Sequence, residues 1–557
     1  MTFLDLVADA RSDDRGITFL CDGSERVSWQ QMWEDASRVA AVLRQHGLKA
    51  GSRIAMLGTT SRRFVTAIEA CWLMGATVMV LPVPTRMPSI DAFVATCRRR
   101  MTHGEADALL IDADLASFIG PPRPARTVIT LAELDRLART SDLSWEPDVG
   151  EIDHDAILQF TSGSTTEPKG VRVSHDMLAS NSEDIAVGLA LDPAHDVCVS
   201  WLPLYHDMGL VGILAGSMSR SIELVLASPL DFMTRPAMWF EAIAAHRGTL
   251  TAGPNFAYAL AARALAARDG EPLDLSTLRV AINGAEPVRP ATMRDLVDAG
   301  AAHGLDPRCV FPAFGMAECG IAAFFPPVGR GLATEWVDAG SLAPGRRATL
   351  VEQQSPTAKE QVLCGTTVPG VEARVVDVVT RRPLPARHVG ELMLTGRNVS
   401  AGYHALPEVN LERYEDGWFA TGDLAYLTDA GETVICGRLK DLVIVGGANH
   451  YPQDIEQAAM TVEGVRPGNV VAFGVEGADT EHLVVVAEAS GEPTRQLSRA
   501  VRRAVADACG ITPRQVVMCA KGSLPKTSSG KLQRGAAREM YLAGAFESAT
   551  GAGPVLP

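Results

Sequence analysis

Residues 161–170 are Thr161-Ser162-Gly163-Ser164-Thr165-Thr166-Glu167-Pro168-Lys169-Gly170, and they follow the apolar run Ala156-Ile157-Leu158. The segment combines five hydroxyl side chains, two glycines and one lysine. Hydroxyl and backbone N–H groups donate hydrogen bonds to phosphate oxygens, glycine lets the backbone approach closely, and lysine supplies compensating charge. The lysine is also scarce, since the chain has only seven among its 51 basic residues. These features predict a loop that holds the phosphates of a nucleotide.

A surface turn is the alternative interpretation of the same segment. Clusters of Ser, Thr and Gly are typical of flexible turns. The spacing also lacks the G-x-x-x-x-G-K-[ST] pattern of the common phosphate-binding loop. The segment is therefore either a different kind of phosphate loop or a turn, and residues elsewhere must decide between them.

Length, charge and cysteine content limit the class of protein. At 557 residues the chain is too long for one hydrophobic core. Its net charge of −15 argues against a nucleic-acid partner. An acidic protein partner could dock only through a local basic patch. Ten scattered cysteines without a C-x-x-C pair favour reduced thiols in a cytoplasmic protein.

Neither a signal peptide nor a membrane span is expected. The N-terminal segment Met1-Thr2-Phe3-Leu4-Asp5 lacks the basic and apolar regions of a leader. The longest apolar run, around Cys71 to Pro82, is interrupted by glycine and too short to cross a bilayer. We expect a cytoplasmic protein without stable membrane insertion.

The chain divides into three regions that differ in their sequence patterns. Up to about residue 331, helices such as 28–45 alternate with short apolar strands, which predicts an α/β architecture with a buried, mostly parallel sheet. Residues 332–437 carry short β-rich runs between Gly and Pro turns and predict a small β-rich subdomain. Residues 442–557 alternate strands with helices, including 452–460 and 494–508, and predict a small α+β domain.

Six further motifs carry residues suited to nucleotide chemistry. Each of them alone could be a turn, a structural histidine or a solvated lysine. In chain order they are Trp201-Leu202-Pro203-Leu204-Tyr205-His206-Asp207, Asn283-Gly284-Ala285-Glu286-Pro287, Phe314-Gly315-Met316-Ala317-Glu318, Gly417-Trp418-Phe419-Ala420-Thr421-Gly422-Asp423, Gly437-Arg438-Leu439-Lys440-Asp441 and Leu524-Pro525-Lys526-Thr527-Ser528-Ser529-Gly530-Lys531. With these motifs the chain resembles, over nearly its whole length, the adenylate-forming superfamily of acyl-CoA synthetases, peptide-synthetase adenylation domains and luciferases.

The resemblance implies ATP and Mg²⁺ as cofactors and assigns a role to each motif. It implies that Glu318 binds magnesium, which prefers oxygen ligands, and that residues 438–441 form a hinge centred on Lys440 between a domain 1–437 and a mobile domain 442–557. The implied catalytic residues are Lys531, His206, Lys169 and Thr165. The implied ATP- and AMP-binding residues are Thr161, Ser162, Gly163, Ser164, Thr165, Thr166, Lys169, Asn283, Gly284, Ala285, Glu286, Phe314, Gly315, Met316, Asp423, Arg438 and Lys531.

Three positions depart from the family pattern. Phe314 stands where tyrosine is usual, so a ring face remains for adenine but the hydroxyl is lost. Cys319 replaces a common threonine, and Thr166 replaces the more frequent glycine, which stiffens the tip of the loop.

Within the superfamily, the motif neighbourhoods most resemble fatty acyl-AMP ligases, as does the segment Gly446-Gly447-Ala448-Asn449-His450-Tyr451-Pro452. Extra residues near 338–361 match the insertion of that branch, which implies packing against the small domain and discrimination against coenzyme A. The implied reaction converts a carboxylic acid, expected to be a fatty acid, to acyl-AMP and pyrophosphate, followed by transfer to an acyl carrier protein or a synthase carrier domain. Two alternatives stay open: an acyl- or aryl-CoA synthetase, and a non-catalytic nucleotide-binding regulator.

Overall fold

We describe the protein from a computed structural model. The structure describes residues 2–84, 90–119, 127–145, 154–161, 169–445, 448–476, 481–527 and 530–546.

Two largely parallel sheets and their helices form the first 331 residues, so the single buried sheet expected from the sequence is in fact two. One sheet has the strand order β6-β5-β3-β4-β7-β8, and the other has the order β13-β12-β11-β9-β10-β1-β2. Each ends in one antiparallel strand, β8 and β2 respectively. The strands are β1 Gly16–Phe19, β2 Glu25–Ser28, β3 Arg53–Leu57, β4 Thr77–Val80, β5 Ala108–Ile111, β6 Thr127–Thr130, β7 Asp155–Thr161, β8 Lys169–Ser174, β9 Val197–Ser200, β10 Glu223–Leu226, β11 Leu250–Gly253, β12 Val280–Asn283 and β13 Val310–Pro312.

The helices of this region cover the sheets and begin where the sequence offers caps. Ser28 and Ser61 cap α2 and α3, since their hydroxyl oxygens accept hydrogen bonds from backbone N–H groups of the first turns. The helices are α1 Phe3–Asp9, α2 Trp29–Gln45, α3 Arg62–Leu73, α4 Ile90–His103, α5 Ala113–Ile119, α6 Leu131–Thr140, α7 His175–Gly188, α8 Gly216–Ser219, α9 Pro229–Thr234, α10 Met238–Ala245, α11 Asn255–Ala266 and α12 Pro290–Ala301. Met208–Ala215 is a π-helix that continues into α8.

Short antiparallel sheets follow, in agreement with the β-rich texture. The strands are β14 Phe314–Gly315, β15 Ala322–Phe325, β16 Thr334–Asp338, β17 Ala358–Val362, β18 Thr366–Thr367, β19 Glu372–Val376, β20 Gly390–Thr395, β21 Tyr414–Glu415, β22 Trp418–Leu427 and β23 Thr433–Arg438, with one helix, α13, at Pro407–Arg413. β16 pairs with β17, and the predicted insertion at 338–361 therefore lies largely between two paired strands.

The C-terminal region has its own hydrophobic core on both faces of the sheet β26-β27-β28. One face packs against α14 and α15 and the other against α16. The elements are β24 Val443–Val445, β25 Ala448–His450, α14 Pro452–Met460, β26 Val465–Val475, β27 His482–Ala489, α15 Arg495–Cys509, β28 Gln515–Cys519 and α16 Arg534–Leu542. The predicted helices α14 and α15 are present within one residue of their expected bounds. α16 was not expected from the sequence.

The α/β fold class with a β-rich subdomain and a small α+β domain is confirmed. The boundaries at 437 and 442 and the mobility of the small domain stay predictions. Among the described residues, we find no helix that combines the length and the apolar character needed to traverse a bilayer.

Candidate active site

Four neighbouring parallel strands, β13, β12, β11 and β9, end at the same edge of a sheet, and three of the motifs lie at that edge. β9 leads into the segment with His206, β12 ends at Asn283, and β13 precedes Phe314. Ligands of open α/β sheets bind beyond the carboxyl ends of the strands. The edge opens into a cleft of about 1460 Å³. The predicted site residues that line it are Thr161, Lys169, His206, Gly284, Ala285, Glu286, Phe314, Gly315, Met316, Glu318, Asp423, Arg438, Lys440 and Lys531.

The predicted phosphate loop joins two paired strands. Thr161 is the last residue of β7 and stands opposite Lys169, the first residue of β8. The residues between them lie outside the described ranges, and with them the predicted contacts of Ser162, Gly163, Ser164, Thr165 and Thr166. The hairpin nevertheless places both ends of the loop in the wall of the cleft.

A histidine, an aspartate and the C-terminal lysine meet in the cleft. His206 Nδ1 lies 2.5 Å from Asp207 Oδ1, and Lys531 Nζ lies 3.5 Å from His206 Nε2. A proton on Nδ1 leaves Nε2 as an acceptor for the ammonium group. Asp207 also accepts from the backbone N–H of Met208 at 2.8 Å, which fixes the start of the π-helix. Gly209 is required there, because a Cβ would come within 2.4 Å of the Pro203 carbonyl oxygen.

The electrostatics of Lys531 suit a group that must meet negative charge. Burial lowers the pKa of Lys531, and the carboxylates of Asp207 and Glu286 oppose that change. Burial raises the pKa of Glu286, whose Oε1 accepts from the backbone N–H of Phe256 at 2.5 Å. Burial acts to raise the Asp207 pKa, but the interactions of this carboxylate with His206 and with the charge of Lys531 outweigh burial and lower the pKa. Among the residues that the structure describes, no carboxylate forms a direct ion pair with this ammonium group, which is thus desolvated but not neutralised.

Two of the segments predicted to bind the nucleotide, 284–286 and 314–316, line this cleft. Ala285 has φ 66°, an uncommon conformation for a residue with a side chain, and it turns the Gly284–Glu286 backbone into the cleft. Gly315 cannot be replaced, since a Cβ would come within 1.6 Å of the Ile321 carbonyl oxygen. Asn283 does not line the cleft but is fully buried behind it, where its Nδ2 donates to Asn255 Oδ1 at 3.2 Å.

Glu318, the predicted magnesium ligand, is buried and oriented by a tyrosine. Tyr403 Oη donates to Glu318 Oε1 at 2.6 Å, and Lys169 Nζ lies 5.4 Å above the Tyr403 ring. Among the described residues there is no group of three or more His, Cys, Asp or Glu side chains arranged to hold a metal. One carboxylate in a phosphate-binding cleft fits magnesium, which binds through one or two carboxylates together with substrate phosphates.

A cross-strand ion pair forms the opposite wall. Asp423 on β22 stands opposite Arg438 on β23, and Arg438 Nε lies 2.7 Å from Asp423 Oδ1. The second carboxylate oxygen, Oδ2, is buried and has no hydrogen-bond partner among the described residues. Burial raises the pKa of Asp423 to about 6, although Arg438 opposes this. A buried acceptor without a donor costs free energy, so this oxygen is suited to a hydroxyl of a ligand.

The hairpin β16–β17 contacts the small domain directly. Lys359 Nζ lies 2.6 Å from Asp454 Oδ2 on α14 and 4.8 Å above the ring of Tyr451. Tyr451 Oη in turn donates to the Leu342 carbonyl oxygen at 2.5 Å. Lys440, the predicted hinge residue, lies in the short 3₁₀ turn Leu439–Asp441 between β23 and β24. The segment of the predicted insertion therefore contacts α14, the helix that follows the predicted hinge.

Residues 6–404 match the family described as AMP-binding enzyme, and residues 440–550 match the AMP domain described as Disco-interacting protein 2-like. The chain belongs to the AMP-binding enzyme family. The ATP-using, adenylate-forming character expected from the motifs is thereby established at the level of the family.

Relatives and solved structures cover almost the whole chain of this AMP-binding enzyme. It is 38% identical over 516 residues to a putative ligase, Rv1013, of Mycobacterium tuberculosis, spanning 91% of this chain and 93% of the relative. It is 31% identical over 574 residues to the long-chain-fatty-acid–AMP ligase FadD26 of Mycobacterium marinum, spanning 97% and 96%. A solved structure from work on fatty acyl-adenylate ligases of E. coli and L. pneumophila superposes with a TM-score of 0.87 at 29% identity, covering 97% of each chain.

Sequence reasoning did not find three residues that shape the cleft of this AMP-binding enzyme. Tyr403 orients Glu318, Asn255 holds Asn283, and Arg413 lines the cleft near Lys169. No local pattern marks them, because each acts on a residue at least 28 positions away. For Tyr403 the sequence offered one signal, since tyrosine is rare in this chain, which has seven.

Proposed function

We propose that this AMP-binding enzyme is a fatty acyl-AMP ligase that activates a carboxylic acid with ATP and then passes the acyl group to a carrier-protein thiol. The observation that carries the proposal is the convergence, in one cleft, of Lys531 from the small domain with Glu318 and Asp423 from the large domain. A non-catalytic regulator would not need the buried ammonium group of Lys531 in this cleft.

In the first half-reaction, a carboxylate oxygen of the acid attacks the α-phosphorus of ATP. A new oxygen–phosphorus bond forms, the bond to the bridging oxygen breaks, and pyrophosphate leaves with its electron pair. Negative charge accumulates around phosphorus, and preorganised positive charge stabilises it best in a site that excludes water. We assign this task to Lys531, with His206 beside the acid and Lys169 beside the leaving pyrophosphate.

The nucleotide is held from the opposite wall. Asp423 Oδ2 is free to accept from a ribose hydroxyl, while Arg438 keeps the other oxygen occupied. Glu318 would hold magnesium, which supplies charge neutralisation to the phosphates when bound. The backbone of residues 284–286 and the ring of Phe314 would enclose adenine.

In the second half-reaction, the thiol of a phosphopantetheine arm attacks the acyl carbon of acyl-AMP. A thioester bond forms, the thiol proton is released, and AMP leaves. Lys531 has no role in this step, so the small domain can rotate about Lys440 once adenylation is complete.

Two observations support a carrier protein over free coenzyme A. The Lys359–Asp454 contact ties the insertion to the small domain and restrains its rotation. Three arginines of α15 are exposed on a chain of net charge −15, namely Arg499, Arg502 and Arg503, of which Arg503 lies 3.7 Å from Asp507; we take them as a local basic patch. Such a patch is complementary to an acidic partner protein.

Acyl transfer is the test of this proposal. The purified enzyme is given ATP, Mg²⁺ and a pool of fatty acids, with either coenzyme A or a holo-acyl carrier protein, and products are read by mass spectrometry. We expect acyl-AMP in both reactions and thioester only on the carrier. Efficient acyl-CoA synthesis would favour the acyl- or aryl-CoA synthetase alternative, and a lack of acyl-AMP with every acid would favour the regulator.

A further inference from the structure

The segment that carries Lys531 is a short closed loop in the wall of the cleft. The backbone N–H of Thr527 donates to the Lys531 carbonyl oxygen at 2.8 Å, and Thr527 Oγ1 accepts from the Lys531 N–H at 3.0 Å. On the N-terminal side of the loop, Lys526 Nζ donates to Asn469 Oδ1 of β26 at 2.6 Å. Lys531 therefore belongs to one compact unit, and the contacts that hold this unit decide where the ammonium group lies.

Arg534 holds the C-terminal side of the loop. It is the first residue of α16 and follows Lys531 by three positions. Its Nε and Nη2 lie 2.6 and 2.8 Å from Glu456 Oε1 and Oε2 on α14, a bidentate arrangement that fixes direction as well as distance. Its Nη1 lies 3.0 Å from Asp441 Oδ2. One guanidinium group thus joins α16, α14 and the 3₁₀ turn of the predicted hinge.

The helix itself does not favour an arginine at this position. A cation is disfavoured at the N-terminus of a helix, where the backbone N–H groups already carry positive partial charge. Burial acts to lower the pKa of Arg534, but the carboxylates of Glu456 and Asp441 outweigh burial and raise that pKa. Glu456 is itself buried, and its Oε1 also accepts from the Ala472 N–H at 3.1 Å. The two carboxylates, and not the helix, therefore hold this guanidinium group in place.

The turn of the predicted hinge lies between two ion pairs. Asp441 is its last residue, follows Lys440 directly and contacts Arg534. On the other side of the turn, Arg438 Nε lies 2.7 Å from Asp423 Oδ1 in the nucleotide wall. One pair thus faces the predicted ribose position, and the other faces the segment that carries the catalytic lysine. Under the proposed function, on which this inference rests, a change in the direction of this turn displaces that segment as well.

We propose that Arg534 is a positioning residue for adenylation, which ties the Lys531 segment to the hinge turn so that the direction of the turn sets the position of the Lys531 ammonium group. Arg534 acts through Lys531 and has no assigned contact with ATP or the acid. A displacement of about 1 Å in an active site can cost about 10² in rate. Because Lys531 is assigned only to adenylation, the transfer of a preformed acyl group does not depend on this tie.

The test measures the two half-reactions separately in Arg534→Met. In acid-dependent ATP–pyrophosphate exchange, we expect kcat to fall by about ten- to hundredfold. KM for ATP should stay within about twofold of wild type, since the lost interaction acts in the transition state. Transfer from preformed acyl-AMP to a holo-carrier protein should stay within about threefold of wild type. Arg534→Lys, which keeps the charge but not the bidentate geometry, should recover part of the exchange.

A second variant and a matched control separate positioning from folding. Asp441→Asn keeps the pair between Arg534 and Glu456, so it decides the question if Arg534→Met does not fold. It should lower kcat of exchange by up to about tenfold and spare transfer, because one charged hydrogen bond is weakened. Combined with Arg534→Met, it should add little further loss, since both changes remove the same contact. Arg538→Met is the control, because Arg538 lies one turn further along α16, where its Nε donates to the Gly474 carbonyl oxygen at 3.0 Å. It should leave both half-reactions within about twofold of wild type.

The remaining outcomes are distinguishable. Equal losses in exchange and in transfer would show a structural role for Arg534 and overturn the inference. Exchange at the wild-type rate in Arg534→Met, or in Asp441→Asn where Arg534→Met does not fold, would also overturn it and leave the proposed function standing. If the wild-type enzyme forms no acyl-AMP with any acid, the proposed function fails, and this inference with it.

Discussion

Replacing Lys531 by alanine should abolish most of the adenylation activity without unfolding the protein. The ammonium group lies 3.5 Å from His206 Nε2, in a cleft where burial already lowers its pKa. Two unit charges 4 Å apart interact by about 4 kcal/mol at an effective dielectric constant near 20. Single preorganised donors in active sites are worth about 10²–10³ in rate. We therefore expect Lys531→Ala to lower acid-dependent pyrophosphate exchange by two to three orders of magnitude.

The second half-reaction gives this prediction its sharpest check. With acyl-AMP supplied preformed, transfer to a holo-carrier protein should stay within about threefold of wild type, since Lys531 is assigned only to adenylation. Lys531→Arg should recover little exchange, because a guanidinium is larger and more diffuse than an ammonium. Lys521→Ala, an exposed lysine of the same domain, is the control. Normal exchange in Lys531→Ala, or an equal loss in both half-reactions, would refute the assignment.

Three further predictions address the other walls of the cleft. Because burial raises the pKa of Asp423 from 3.8 to about 6, KM for ATP should rise as pH falls below 6, and in Asp423→Asn it should be about tenfold higher and independent of pH. The same raised pKa means that Asp423 binds its proton more tightly in the folded than in the unfolded protein. Its contribution to stability is therefore present below pH 3.8 and is lost as pH rises through 6. Calorimetry should find that the melting temperature of ligand-free Asp423→Asn rises relative to that of wild type over this range. Tyr403→Phe removes the donor to Glu318 and should raise the Mg²⁺ concentration for half-maximal exchange by about tenfold, and an unchanged Mg²⁺ titration would argue against Glu318 as the ligand. Lys359→Met breaks the partly exposed ion pair with Asp454, which is worth at most about 1 kcal/mol. The ratio of acyl-CoA formation to carrier acylation should therefore rise by up to about fivefold. An unaltered ratio would show that this contact does not determine the choice of acyl acceptor.

Local signals in the sequence predicted the elements of the fold well. Ser28 and Ser61 cap helices because their hydroxyls accept from nearby backbone N–H groups, an interaction confined to four residues. Strand pairing could not be predicted in the same way. β1 pairs with β10, more than 200 residues later, and nothing in either strand specifies that partner. The division of the parallel strands into two sheets follows from such long-range pairings.

The same difference between local and long-range signals decides which residues of the candidate site could be predicted. Residues within contiguous motifs were predicted, since each motif carries its own turn and functional side chain. Residues that support them from elsewhere, such as Tyr403 and Asn255, were not, because their role exists only after folding. The amphipathic helix α16 was also missed, since its residues 534–542 are mostly polar or small, and only Ala537 and Tyr541 are buried.

One unsatisfied atom of the cleft links these observations to nucleotide binding. Asp423 lines the cleft, and its Oδ2 is buried without a hydrogen-bond partner among the described residues. A buried acceptor without a donor costs free energy in the folded protein. Under the proposed function a ribose hydroxyl of ATP supplies that donor, so the cost is recovered only when the nucleotide is bound. The expected effect of Asp423→Asn on KM for ATP, about tenfold, follows from that recovery.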